Sequence, residues 1–385
     1  MSEKITESQA QKEIAKFFGP DTIFFDGDLK SIGSYEYIST GSPALDEAIG
    51  IGGIPRGRIV QLAGKESSGK TMLALSCIKS YLDLNPENTA LFIDAEYTYD
   101  PEWAISQGVD VSRVMVIKTN DAKAIFEGLI GTMKVNSVTK KASKNMKGIL
   151  DYVIEGSDPK FKNLGLVVLD SIAVLNTPLE VAATIGKANM APIPRFLSTE
   201  LKKLTPILAK SNVAFIGINQ VRVNIGQMFG DPTSSPGGKA LKHACSLMVN
   251  MAPILSSDSQ ITNESGDRIG HKVRAKIGKN KVGTPFKTAE YSIEYLKGIT
   301  SAGQEVFDLG VKYGIIERPS SQFYIVNGEK VRGRDAAISS FISNKDSVAD
   351  TLEGVMELYL NGSKAASNEE LPDDIEENPL LGLME

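Results

Sequence analysis

Gly64-Lys65-Glu66-Ser67-Ser68-Gly69-Lys70-Thr71 is the stretch from which the fold can be read. It fits G-x-x-x-x-G-K-[ST], follows the apolar run Ile59 to Ala63 and opens a helical stretch, the strand, loop and helix context of a phosphate-binding loop. Gly64 and Gly69 let backbone N–H groups converge on phosphate oxygens. Lys70 can reach the β- and γ-phosphates, and Thr71 can offer its hydroxyl to Mg²⁺ at the positive end of the helix dipole. Lys65, Glu66, Ser67, Ser68 and Met72 complete the expected nucleotide cradle. The plain alternative is a tight turn that binds nothing.

Outward from this loop, apolar runs alternate with helical stretches, the pattern of a parallel sheet covered on both faces. The expected strands are Ile59 to Ala63, Ala90 to Ile93, Val114 to Ile117, Leu166 to Leu169 and Val213 to Ile218. Several end at Asp94, Asp170 and Asn219, where open α/β sheets place their ligands. A phosphate-binding loop needs a second strand carrying a carboxylate for its metal, and Asp170 is the candidate; an N-cap is the rival role, and the two can coexist. Leu91-Phe92-Ile93-Asp94-Ala95-Glu96 offers two carboxylates to orient an attacking water, and strand alternation puts both on one face without choosing between them.

The 385 residues allow two or three domains. Hydrophobic residues at 42% and charged residues at 23% exclude wholesale disorder and fibrous repeats. Cys77 and Cys245 have no partner spacing and read as buried thiols of a reducing, cytoplasmic compartment. His243 and His271, the only histidines, give no Cys/His cluster for zinc and little for a Ser-His-Asp mechanism. No apolar run reaches the roughly 18 residues that span a bilayer, and the first residues lack a signal-peptide pattern, so no membrane partner is expected. The net charge of −5 is uneven: residues 366–385 hold seven acids and no bases, leaving a nearly neutral body.

The organisation expected is an N-terminal arm over 1–34 (helical from Ser8 to Phe18, extended from Thr22 to Phe25), a core over 35–298, a small α+β C-terminal domain over 299–362 and an acidic disordered tail over 363–385. Within the core, residues 134–162 carry seven lysines against three acids and read as a surface insertion, either a solvated face or an auxiliary nucleic-acid contact.

Ile38-Ser39-Thr40-Gly41-Ser42 with Leu45-Asp46, Gly52 to Val60, the phosphate loop and Phe92 to Glu96 together resemble bacterial RecA recombinases. So do Ile218-Asn219-Gln220-Val221-Arg222, Ile225 to Gly230, Gly237 to Lys242, Lys279-Asn280-Lys281 with Pro285-Phe286-Lys287, and Asp308 to Val311. The resemblance runs in order along nearly the whole chain. It implies a RecA-like ATPase core that uses ATP and Mg²⁺, a DNA-dependent ATPase that forms a helical homo-oligomeric filament on single-stranded DNA and pairs it with homologous double-stranded DNA.

Residue by residue, the resemblance makes Glu96 the catalytic carboxylate in preference to Asp94, and Asp100 and Trp103 the adenine-holding pair, with Trp where the family usually has Tyr. It makes Gln220 the sensor of the γ-phosphate, and Lys279 and Lys281, alternating on an apparent strand, the pair that reaches a neighbour's nucleotide; two solvated lysines are the plain alternative. Val221 to Gly237 resembles the second DNA-binding loop, with Arg222, Gly226, Met228, Phe229, Gly237, Gly238 and Lys239 as contacts. A first DNA loop is expected between Asn176 and Arg195, with Arg195 and Lys202 as basic contacts. Pro192, Pro194, His243 in place of an aromatic, and the insertion mark a divergent bacterial or phage-encoded member. A ring helicase sharing the core, or a mediator without turnover, are the rival readings.

Overall fold

The computed structural model describes residues 36–135, 142–182, 192–223, 233–234 and 237–366. The arm expected over 1–34 lies outside the described residues, and the described residues from Tyr37 onward belong to one compact unit.

Nine strands run through the main sheet: β1 (Ile59–Gly64), β2 (Thr89–Asp94), β3 (Val114–Lys118), β4 (Leu164–Asp170), β5 (Ala214–Gln220), β6 (Leu247–Pro253), β7 (Arg268–Asn280), β8 (Thr288–Glu294) and β9 (Gly298–Ile299). Their spatial order is β9-β8-β7-β6-β1-β5-β4-β2-β3, and Gln260–Thr262 pairs with β7 as a tenth strand. From β6 to β3 all pairings are parallel, and from β6 to β9 all are antiparallel. All five expected strands are present, and where an end differs from the expected one it does so by one or two residues.

Alternation along the strands divides the core. Val60, Leu62, Ala90, Phe92, Leu166, Val168, Ile216 and Ile218 face one layer, packed against Met72, Leu73 and Ile78 of the helix Lys70–Leu84 and Leu45 and Ile49 of the helix Pro43–Ile49. Ile59, Leu91, Ile93, Val167, Leu169 and Phe215 face the other, against the helices Ala122–Ile130, Ile149–Glu155 and Pro192–Ser211. Strands buried on both faces explain the continuous apolar runs of the sequence.

The C-terminal part has its own small core, where Phe307 packs against Tyr324 and Phe341. The helix Ala302–Lys312, the hairpin Phe323–Val326 with Glu329–Arg332, and the helices Arg334–Ser343 and Lys345–Ala366 build it. The last helix covers the first residues of the expected tail, because Lys364, Ala365 and Ala366 are good helix formers. Buried Glu305 ties this part to the sheet domain by accepting from Ser42 Oγ at 2.5 Å and Ala44 N at 3.0 Å.

The Lys-rich insertion is a hairpin, Thr132–Val135 with Ala142–Met146, followed by the helix Ile149–Glu155. The hairpin exposes Met133 and Met146, but Leu150 is fully buried under the sheet. Only part of 134–162 is therefore surface.

Candidate active site and nucleic-acid surface

The carboxyl ends of four adjacent strands, β1, β5, β4 and β2, form one rim. Register fixes it: Gly64 pairs with Gln220 and Asp94 with Asp170. The rim is the place where open α/β sheets bind ligands.

At the end of β1 the loop turns through Ser67 at φ 57° and Gly69 at φ 83°. The helix Lys70–Leu84 then starts with no side-chain cap and no acid in its first turn, so its leading N–H groups are left for an anion. Gly64 has no room for a side chain: a Cβ there would lie 2.4 Å from Met251 O and 2.5 Å from Ser68 Oγ. Lys65, Glu66 and Ser67 are exposed, while Ser68 and Met72 are buried. Lys70 Nζ donates to Lys65 O at 2.6 Å, curling over the loop. Burial holds its ammonium below the usual lysine range, against the pull of Asp170, Glu96 and Glu66.

Thr71 Oγ1 donates to Asp170 Oδ2 at 2.7 Å. Burial pushes the Asp170 carboxyl up to about 6, opposed by the Thr71 hydrogen bond and reinforced by Glu96. A buried carboxylate held by one hydroxyl beside an anion-binding loop fits a hard divalent cation, which would reverse that shift. Among the described residues no three His, Cys, Asp or Glu side chains cluster as a metal cage. Two protein oxygens, with phosphate and water supplying the remainder, suit Mg²⁺.

Asp94 and Glu96, equivalent by spacing, differ in their surroundings. Asp94 is 1% exposed, and its two oxygens accept from Thr98 N at 3.0 Å and Tyr99 N at 2.9 Å, so it shapes the loop after β2. Glu96 Oε1 accepts from Ser171 Oγ at 2.5 Å and from Gln220 Nε2 at 3.2 Å. The structure thus brings Glu96, Gln220, Asp170, Thr71 and Lys70 to one rim, with Ser171, which sequence reasoning missed.

Asp100 caps the helix Pro101–Ser106, accepting from Glu102 N and Trp103 N, so the cap itself brings Asp100 and Trp103 together. Trp103 Nε1 donates to Tyr295 O at 2.8 Å. Tyr295 is 37% exposed and sits just past β8, whose Ile293 lies against Gly69. The Tyr295 ring itself packs against His271, with centroids 5.8 Å apart, so it is the Tyr295 carbonyl that holds Trp103, a tertiary contact that sequence reasoning missed.

Arg195 and Lys202 lie on the helix Pro192–Ser211, not on a loop. Pro192 and Pro194 explain this, because a first turn has no N–H bonds for proline to break. Both basic residues are exposed and, seven apart, share one face. Residues 183–191 of the expected first loop lie outside the described residues. At the second loop, Arg222–Val223 pairs antiparallel with Thr233–Ser234, closing its base. Gly226, Met228 and Phe229 lie outside the described residues. Gly237 at φ 91° caps the helix Gly238–Ala244, which exposes Lys239 in its first turn.

Lys279 pairs with Met248 of β6, one residue before β7 ends, and its Nζ donates to the carbonyls of Lys242 at 2.5 Å and His243 at 3.3 Å, capping that same helix. Burial and Lys281 hold its ammonium below the usual range. Lys281 lies just beyond the end of β7 and is exposed, so the expected alternation on one strand holds for Lys279 but stops before Lys281. In the insertion, Lys144 pairs with Asp151 and Lys147 with Glu155, which ties these two lysines to the following helix.

The RecA N-terminal domain model matches residues 5–141 and 147–300. The chain is 35% identical to Protein RecA of Thioalkalivibrio sulfidiphilus over 94% of its length and 96% of that protein's. It is 35% identical to Protein RecA of Borrelia hermsii, covering 89% and 87% of the two chains, and to that of Heliobacterium modesticaldum, covering 90% of each. Identity of this extent across sheet domain and C-terminal part, with the ordered motifs and the parallel core, favours neither ring helicase nor silent mediator: the chain belongs to the RecA family of recombinases.

Proposed function

We propose that this recombinase is a DNA-dependent ATPase that assembles as a helical filament on single-stranded DNA and exchanges strands with homologous duplex. The observation that carries the reading is the Gln220–Glu96 hydrogen bond of 3.2 Å, because Gln220 is the last residue of β5 and leads into the loop 221–237. A side chain that contacts the candidate base while anchoring a DNA loop can couple nucleotide state to DNA grip.

The phosphate loop and Lys70 hold the triphosphate, and Trp103 offers a flat face to the base beside Asp100. Thr71 and Asp170 would hold Mg²⁺, which neutralises phosphate charge when bound. Glu96 orients a water toward the γ-phosphate, and Gln220 exchanges its Glu96 contact for a phosphate oxygen. Arg195, Lys202, Arg222, Lys239 and the glycines 226, 237 and 238 address the DNA backbone, while Met228 and Phe229 wedge between bases, leaving base edges free for pairing. Lys279 and Lys281 reach the nucleotide of a neighbouring protomer. For Lys279 this requires release from the carbonyls of Lys242 and His243. The task is placed in the cytoplasm, in keeping with two free, buried thiols; among the described residues no helix is long and apolar enough to cross a membrane.

The test is strand exchange with homologous and heterologous DNA, with and without ATP, beside Lys70→Ala. Exchange restricted to homologous DNA and ATP, and absent in Lys70→Ala, is the expected result. Closed rings without exchange in electron micrographs, or wild-type turnover in Lys70→Ala, would overturn the reading.

A further inference from the structure

We infer that Ser171 is the positioning residue of the candidate general base Glu96, an inference that rests on the proposed role of Glu96 in water activation. The placement begins in the backbone. After Asp94 pairs with Asp170, Ala95 N donates to Asp170 O at 2.7 Å, carrying the β2–β4 contact one step past the strands. The next residues, Glu96 and Ser171, are thereby held side by side. Ser171 is fully buried and its Oγ donates to Glu96 Oε1 at 2.5 Å.

That bond does two things. It fixes the carboxylate's rotation, since a glutamate otherwise turns about three single bonds. It also loads Oε1, which additionally accepts from Gln220 at 3.2 Å, while no hydrogen bond involves Oε2 among the described residues. Oε2 is thus the oxygen left to take a proton from water. In the step, water oxygen bonds to the γ-phosphorus, the bond from that phosphorus to the β,γ-bridging oxygen breaks, the bridging oxygen leaves with ADP, and the water proton passes to Glu96 Oε2, giving phosphate. When Gln220 turns to the phosphate, Ser171 alone still holds Oε1. Gln220 can signal; Ser171 keeps the base aimed.

The experiment uses the full chain with poly(dT) and measures kcat and KM for ATP, fluorescent-nucleotide affinity and thermal melting for Ser171→Ala, Ser171→Thr, Glu96→Gln and the double variant Glu96→Gln with Ser171→Ala. Ser171→Ala is expected to lower kcat about tenfold or more with KM and nucleotide affinity within about twofold. Ser171→Thr, which keeps the hydroxyl, should restore kcat to within about threefold. In the Glu96→Gln background, Ser171→Ala should cost nothing further. Wild-type turnover in Ser171→Ala, an additive loss in the double variant, or equal losses in the Ala and Thr variants would overturn the inference. Wild-type turnover in Glu96→Gln would instead remove Glu96 as the base, and the role of Ser171 with it.

Discussion

Thr71 Oγ1 and Asp170 Oδ2 meet at 2.7 Å across the ends of the phosphate loop and β4, although 99 residues separate them in the chain. Burial raises the Asp170 carboxyl from 3.8 to about 6, so between these values the folded chain binds a proton that the unfolded chain has lost. Without nucleotide or Mg²⁺, the Asp170 contribution to stability is therefore greatest below about pH 4 and falls as pH rises toward 6, by about 3 kcal/mol at most. Asp46, pushed up to about 7 by burial, and Glu305, raised by burial, slope the same way. Urea denaturation of wild type and Asp170→Asn isolates the Asp170 part: the variant should lose that portion of the slope. Parallel curves would show that the carboxylate is not strained.

Two glycine substitutions should act in opposite directions. Gly64→Ala drives a Cβ to 2.4 Å from Met251 O, a backbone atom that cannot swing aside, and should cost about 1–3 kcal/mol together with nucleotide binding. Gly128→Ala, within the helix Ala122–Ile130 and with nothing within 4 Å of the added Cβ, should stabilise by about 0.5–1 kcal/mol. Thermal melts and a fluorescent-nucleotide titration check both.

Glu305 accepts from Ser42 Oγ, Ala44 N and Ser301 Oγ, joining the start of the helix Pro43–Ile49 to the C-terminal part. Glu305→Ala strands one buried and two half-buried donors and should destabilise by roughly 2–4 kcal/mol, while Glu305→Gln, which keeps an acceptor, should cost less. Limited proteolysis should show new cleavage near residues 296–302 in the Ala variant. An unchanged digest would mean that apolar packing alone holds the two parts.

Strand positions and the phosphate loop were legible because burial on both faces and the glycine spacing are local signals. Spacing alone did not separate Asp94 from Glu96, because both come at the end of the same strand, and only the resemblance named Glu96; their surroundings differ through tertiary contacts, the amides of Thr98 and Tyr99 occupying Asp94 and the β2–β4 register bringing Ser171 to Glu96. Tyr295 escaped notice since its partner Trp103 is 192 residues away. Arg195 was expected at the end of a loop from the resemblance alone, whereas Pro192 and Pro194 suit a helix's first turn and Arg195 lies on that helix.

The insertion offers the clearest separation of scaffold from ornament. The hairpin stands on a neck of Gly131 and Gly148, where a Cβ on Gly131 would lie 2.3 Å from Met146 O, and its Lys144 and Lys147 turn back to Asp151 and Glu155. Lysines already paired release fewer counterions on meeting a phosphate backbone, so they should add little to DNA affinity. Replacing residues 133–145 with a short glycine-containing turn should leave DNA-stimulated ATP turnover within about twofold, and the slope of log affinity against log salt for duplex DNA unchanged. Leu150→Ala, four residues beyond the hairpin but fully buried among the helices under the sheet, should cost about 2–5 kcal/mol. A shallower salt slope in the deletion would instead assign the hairpin to DNA, and a harmless Leu150→Ala would place the helix Ile149–Glu155 outside the core.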